Sequence, residues 1–240
     1  MSQHNAAGDD LADAVATDLD PPYLYPEYRS SVLRAPQREL LPRAPASASR
    51  FGPVFGERHV SAGDADLTSH GRSAPLGERI VVHGRVCDEA GRPLRLQLVE
   101  IWQANAAGRY AHAVDQHDAP LDPNFAGAGR CLTDDDGNYR FVTIRPGEYP
   151  WQNHANAWRP AHIHFSLFGR SFASRLVTQM YFPGDPLLAY DPMFQSIGDR
   201  SAAESLVAQF DLGATVESWA LGYRFDVVVG GPSSTPVEVS

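Results

Sequence analysis

The run Arg159-Pro160-Ala161-His162-Ile163-His164-Phe165-Ser166-Leu167 constrains the fold more than any other stretch of this chain. Successive side chains on a β-strand point to opposite faces. Ile163, Phe165 and Leu167 then share one apolar face, which reads as the core side of a sheet. His162, His164 and the small Ser166 share the other. Same-face neighbours lie about 7 Å apart at roughly 3.3 Å rise per residue, so two imidazole nitrogens can converge on one metal ion. Two hydrogen-bonded histidines on a half-exposed strand would give the same pattern, because histidine is intermediate in burial. The pair by itself leaves both readings open.

Further strands are predicted over 80–86, 97–102, 139–144, 176–182 and 223–229. Turn signals separate them, among them Asp88-Glu89-Ala90-Gly91-Arg92-Pro93 and Asp134-Asp135-Asp136-Gly137-Asn138, where glycine and proline supply the backbone angles a connection needs. The acidic run lacks the alternating aspartates and distal glutamate of a calcium loop and reads as a turn. One helix of any length is expected, over 201–210, and a short one over 11–16. Short strands between Gly/Pro/Asp turns indicate an all-β chain, an antiparallel β-sandwich with few short helices. Residues 1–75 read as an acidic tail, an extended arm and an irregular segment, and residues 76–240 as the sandwich. The arm, Pro21-Pro22-Tyr23-Leu24-Tyr25-Pro26-Glu27-Tyr28, is extended because proline fixes φ and biases its predecessor. Its three tyrosines are expected to lie against a groove, in this chain or in a partner.

A net charge of −9 argues against nucleic acid and anionic membranes as partners. Two cysteines, Cys87 and Cys131, give no disulfide framework and suit a reducing compartment. The N-terminus has no basic region followed by an apolar stretch, and no run of about 18 apolar residues exists to cross a bilayer. The expected location is therefore the cytoplasm.

Two tyrosines stand beside predicted strand ends: Tyr110 in Gly108-Arg109-Tyr110 and Tyr149 in Pro146-Gly147-Glu148-Tyr149-Pro150-Trp151. Loops held by a rigid scaffold are where catalytic residues concentrate. A tyrosine near proline and tryptophan is also an ordinary packing residue. Position alone does not decide between these roles.

These segments occur in order with Val99-Glu100-Ile101-Trp102-Gln103-Ala104-Asn105, Leu121-Asp122-Pro123-Asn124-Phe125 and Trp158-Arg159-Pro160-Ala161-His162-Ile163-His164-Phe165. Together they resemble the intradiol ring-cleaving dioxygenases, from about Tyr28 to Phe225. One departure is Glu148, where the family carries proline, which puts the rigidity of that loop in question.

The resemblance implies a non-haem Fe(III) centre held by Tyr110, Tyr149, His162 and His164. A hard ferric ion favours anionic oxygen donors. An unperturbed phenol titrates near 10, and a trivalent cation can draw off its proton. Two phenolates and a hydroxide would balance three positive charges. The implied reaction uses O2 to cleave a small aromatic diol, protocatechuate, between its hydroxyl-bearing carbons, giving 3-carboxy-cis,cis-muconate. In it Tyr149 leaves the metal and acts as a base, Arg159 stabilises charge developing on the ring, and Gln179 lies near the substrate. Trp151 is expected to wall the pocket and Tyr28 to reach the substrate's carboxylate end. Trp102 reads as core packing, with an influence on the metal ligands from behind them left open, and His112, His117 and His154 as solvated loop residues. The resemblance further implies a homologous α chain as partner in a hetero-oligomer. Catechol-specific relatives carry a longer helical N-terminal segment, and none is visible here. Two other readings keep the sandwich but drop the chemistry: a transthyretin-like binding module, and an α-type chain lacking the metal ligands.

Overall fold

The computed structural model describes residues 19–40, 60–151, 155, 158–168 and 175–238. The short helix expected over 11–16 and His154 lie outside them. Two β-sheets pack face to face. The first is antiparallel throughout, with β2 (Leu98–Trp102) between β3 (Ala128–Leu132) and β7 (His162–Phe168), and β8 (Leu176–Tyr181) beyond β7. In the second, β1 (Arg79–Asp88) is paired along one edge with β4 (Asn138–Ile144) and along the other with β10 (Leu221–Arg224) and β11 (Val227–Val229). β9 (Gln209–Phe210) extends that sheet past β10. A two-stranded ribbon, β5 (Tyr149–Pro150) with β6 (Trp158–Arg159), stands apart from both.

The strands predicted from alternation are present, with small shifts at their ends. The segment read as one strand over 223–229 is two, broken at Phe225-Asp226. Both lie parallel to β1, so the antiparallel pattern is complete only in the sheet that carries the histidines. The helix expected over 201–210 spans only Arg200–Ser205, started by Asp199, whose carboxylate accepts the Ala202 N–H at 2.8 Å. It stops because the next residues pair with β8 instead: Leu206 O and Ala208 N–H both bond to Tyr181. Sheet pairing there outweighs local helix propensity.

The core lies between the sheets. Phe165 on β7 meets Phe141 at 5.8 Å, Tyr139 at 5.9 Å and Phe225 at 5.1 Å between ring centroids. Ile163, Phe165 and Leu167 all face this core, as the alternation predicts. Fully burying such a side chain stabilises by about 1.5–3 kcal/mol relative to leaving it exposed. The core also takes in Leu67, from the segment read as irregular, whose N–H bonds to Val142 O at 2.9 Å. The acidic run 134–138 is a turn, tied by Asp134 Oδ1 accepting the N–H groups of Asp136 and Asn138. Gly137 sits there at φ +77°, with no room for a Cβ beside Val86 O.

In the arm, Tyr28 is half-buried, while Tyr23 is 55% exposed and its neighbours Leu24, Val32 and Leu33 are exposed too. Only part of the arm therefore finds its groove within this chain. A helix, Arg29–Arg34, follows it. No helix among the described residues is long and apolar enough to cross a membrane.

Candidate active site

The second face of β7 is buried as thoroughly as the first: His162 is 2% exposed, His164 8% and Ser166 0%. The histidines are therefore not half-exposed. Strand register then assembles the site. His164 lies directly opposite Trp102 on β2 and Gln179 on β8, and His162 opposite Tyr181. In the ribbon, Tyr149 lies directly opposite Arg159. Directly opposed residues on one face have Cβ atoms about 4.5–5.5 Å apart, so each pair is brought into contact by backbone pairing alone.

Trp102 stacks on the His164 ring at 4.8 Å and 5°. It lines the cleft, which corrects its reading as core packing. His162 Nδ1 lies 2.7 Å from Pro160 O, and His164 Nδ1 lies 3.0 Å from Glu238 Oε2. Both partners can only accept, so each Nδ1 carries the proton and each Nε2 presents a lone pair. Those lone pairs face the two phenols. Tyr110 Oη is 3.1 Å from His164 Nε2, and Tyr149 Oη is 3.4 Å from His162 Nε2. The four side chains named from the sequence thus meet in one place.

The loops that deliver the tyrosines are knotted by Asn105. Its side-chain oxygen accepts the Ala107 and Arg109 N–H groups, and its carbonyl accepts those of Gly108 and Gly147. Gly108, at φ +76°, allows the closest approach, since a Cβ there would run into the Glu148 carbonyl. Asp115 completes the support by accepting the Tyr110 N–H at 2.7 Å. Glu148 in place of proline does not loosen this arrangement: Tyr149 is still held by pairing with Arg159 and by the Gly147 bond.

Arg159 is 2% exposed. Its Nη2 is 2.6 Å from Gln179 Oε1, 2.9 Å from Asp191 Oδ2 and 3.1 Å from the Tyr181 hydroxyl, while Nη1 lies 3.5 Å from His162 Nε2. Its guanidinium also sits 5.1 Å from the Trp151 ring. Gln179 is thereby occupied with Arg159 and Tyr181 and does not line the cleft. Tyr28 packs on Trp151 at 4.8 Å. The cleft itself, about 870 Å3, is bounded by Trp102, Tyr110, Tyr149, Trp151 and His164 and by the loop 112–118. His112 and His117 are therefore part of its wall, with His117 edge-on to Trp158 at 6.5 Å.

Burial sets the electrostatics. It pushes the Tyr110 phenol well above 10, reinforced by Tyr149, and raises Tyr149 against the downward pull of the Arg159 charge. Burial, with the Arg159 charge, holds His162 well below the usual histidine range, as a neutral ligand-ready imidazole. Burial raises the Glu238 carboxyl, but the hydrogen bond from His164 and the Arg159 charge outweigh it, leaving it below the usual range. Two buried phenols that resist ionisation on their own, beside a neutral His162 and the ring of His164, suit a highly charged cation able to draw off both protons.

Reading the sequence missed Glu238, Asp191, Asn105 and Asp115. Only Tyr181 carried a local signal, since alternation along β8 places it on the Gln179 face.

A β-sandwich that gathers two phenols and two imidazoles beside one cleft defines the class, and comparison with known proteins agrees. Residues 51–231 match the family described as Dioxygenase, and residues 21–45 that described as Protocatechuate 3,4-dioxygenase beta subunit N terminal. The chain belongs to the intradiol ring-cleaving dioxygenases. Its sequence is 60% identical to the protocatechuate 3,4-dioxygenase beta chain of Burkholderia cepacia over 220 residues, 91% of this chain and 93% of that one. The protocatechuate 3,4-dioxygenase alpha chain of Pseudomonas putida is 32% identical over 82% of this chain and 96% of its own. Among solved structures, 3-chlorocatechol 1,2-dioxygenase from Rhodococcus opacus gives a TM-score of 0.55 at 24% identity, covering 74% of this chain and 69% of that one, a likeness of fold. Membership removes the binding-module reading.

Proposed function

We propose that this chain is the metal-bearing chain of an enzyme that uses O2 to cleave protocatechuate between its hydroxyl-bearing carbons, yielding 3-carboxy-cis,cis-muconate. One observation carries the reading: two phenol oxygens lie 3.1 and 3.4 Å from two imidazole lone pairs whose tautomers are locked. Tyr110, Tyr149, His162 and His164 would hold a non-haem Fe(III). Bound there, the ion would supply Lewis acidity that favours the catechol dianion and its reaction with O2.

The chain's own groups do the rest. Tyr149, on the ribbon at the cleft, would be the donor that gives way to substrate, and its Oη would take a catechol proton. Arg159 faces Tyr149 and His162 with a fixed positive charge and stabilises negative charge as it develops on the ring. Asp191 and Tyr181 hold that guanidinium, and Gln179 acts through it. Trp151 provides an apolar wall, and Tyr28 behind it reaches toward the substrate carboxylate. A homologous α chain in a hetero-oligomer completes the pocket; the exposed apolar residues of the arm and the similarity to α and β chains alike support this. A cytoplasmic location agrees with free Cys87 and Cys131.

Oxygen uptake by the chain co-expressed with an α chain tests the reading. Protocatechuate should drive uptake, and the product's absorbance should mark cleavage between the two hydroxyl-bearing carbons. A colourless preparation, cleavage beside those carbons, or faster turnover of catechol would overturn it.

A further inference from the structure

Glu238 lies 74 residues beyond His164 in sequence, yet its carboxylate reaches the His164 ring at 3.0 Å. Both side chains are nearly buried, at 11% and 12% exposure. Burying a carboxylate is costly unless it is paired, so a chain end that carries one inward must be held there. The segment 235–238 is anchored by bonds that do not involve the Glu238 carboxylate. Thr235 exchanges two bonds with Val228, Thr178 Oγ1 donates to Pro236 O at 2.7 Å, and Glu238 N donates to Val177 O at 2.6 Å. Val237 N also donates to Asp20 at 2.9 Å, joining the two ends of the described chain.

The two histidines are supported unequally. His162 gives its Nδ1 proton to a neutral backbone carbonyl, whereas His164 gives its own to an anion. Trp102 stacks on the His164 ring and sets its plane, and the carboxylate sets its rotation within that plane. The Gln179 amide faces the same carboxylate, which links this arm of the site to Arg159.

We propose that Glu238 is a positioning residue of the metal centre: it fixes the tautomer and orientation of His164 and makes Nε2 the stronger imidazole donor of the pair. The inference rests on the iron site proposed above. A carboxylate behind a metal-bound histidine raises ligand basicity, and its removal typically costs about 10–100-fold in metal affinity.

The test compares wild-type holoenzyme with E238A, E238Q and the neighbouring V237A. It reads iron retained under chelator challenge, the position of the visible tyrosinate band, and melting of the metal-free protein. E238A should lose iron about 10–100-fold more readily and shift the band, with metal-free melting little changed. E238Q, whose amide oxygen still accepts from Nδ1, should fall between it and wild type. V237A should match wild type. Equal iron retention and an unmoved band in E238A would overturn the proposal, as would a V237A loss as large as that of E238A. A wild-type chain that takes up no iron would overturn the metal site itself, which is a different result.

Discussion

The two faces of β7 are built from the same seven residues, His162–Phe168, and both are buried, yet they are stabilised in opposite ways. On one, Ile163, Phe165 and Leu167 gain by leaving water, and any apolar group of similar volume would serve. On the other, burial works against His162 and against the tyrosines near it, and each polar atom needs a named partner. Pro160 O, two residues before His162, supplies one such partner, and Glu238 and Asp191 supply others from distant parts of the chain. The core face makes the fold stable, and the polar face uses that stability to hold groups where water would not leave them.

Substitutions on each face should separate the two roles. Tyr149→Phe removes the proposed exchangeable ligand and base while keeping the ring that packs in the site. It should lower kcat by about 10²–10⁴-fold and weaken the visible band, with melting nearly unchanged. Loss of folding instead would show that the polar face also carries the fold. Phe165→Ala is the converse, expected to cost about 3–5 kcal/mol in denaturant titration while the folded fraction keeps its colour. Asp191→Ala crosses the boundary, because it strands the buried Arg159 charge. Breaking such a pair costs about 3–5 kcal/mol, and here kcat should fall with stability. Asn105→Ala should be milder, about 1–3 kcal/mol for the Ala107 and Arg109 N–H groups it leaves unpaired, with looser binding at the proposed iron site as the Tyr110 loop relaxes.

The smallest effect lies outside β7. The Ser61 hydroxyl and Arg130 hold Asp64 down at about 2, from an ordinary 3.8. A carboxyl lowered on folding stabilises above its unfolded value and loses that contribution as pH falls through the folded one. Asp64→Asn should therefore flatten the acid-unfolding curve slightly between those values and leave activity at neutral pH untouched.

Alternation along single strands made the core legible, and with it the pairing of His162 with His164 on one face. That signal is local, because a strand's period of two shows in a handful of residues. Motif order made the family and the two tyrosines legible. The ends of elements were less so: the helix over 201–210 was cut short by pairing with β8, and the strand over 223–229 split where its two halves meet different parts of β1.

By itself the sequence determined which faces would be apolar and that the chain would be a sandwich, properties that follow from residue type and near-neighbour spacing. The four candidate donors came instead from motif order and the family resemblance it carries. Only the tertiary structure decided that the four meet, that both imidazoles turn Nε2 toward the phenols, and that Glu238, Asp191 and Asn105 hold them so. Such partners are chosen by register and chain path across the whole fold, and a hydrogen bond spanning tens of residues leaves no periodic trace at either end.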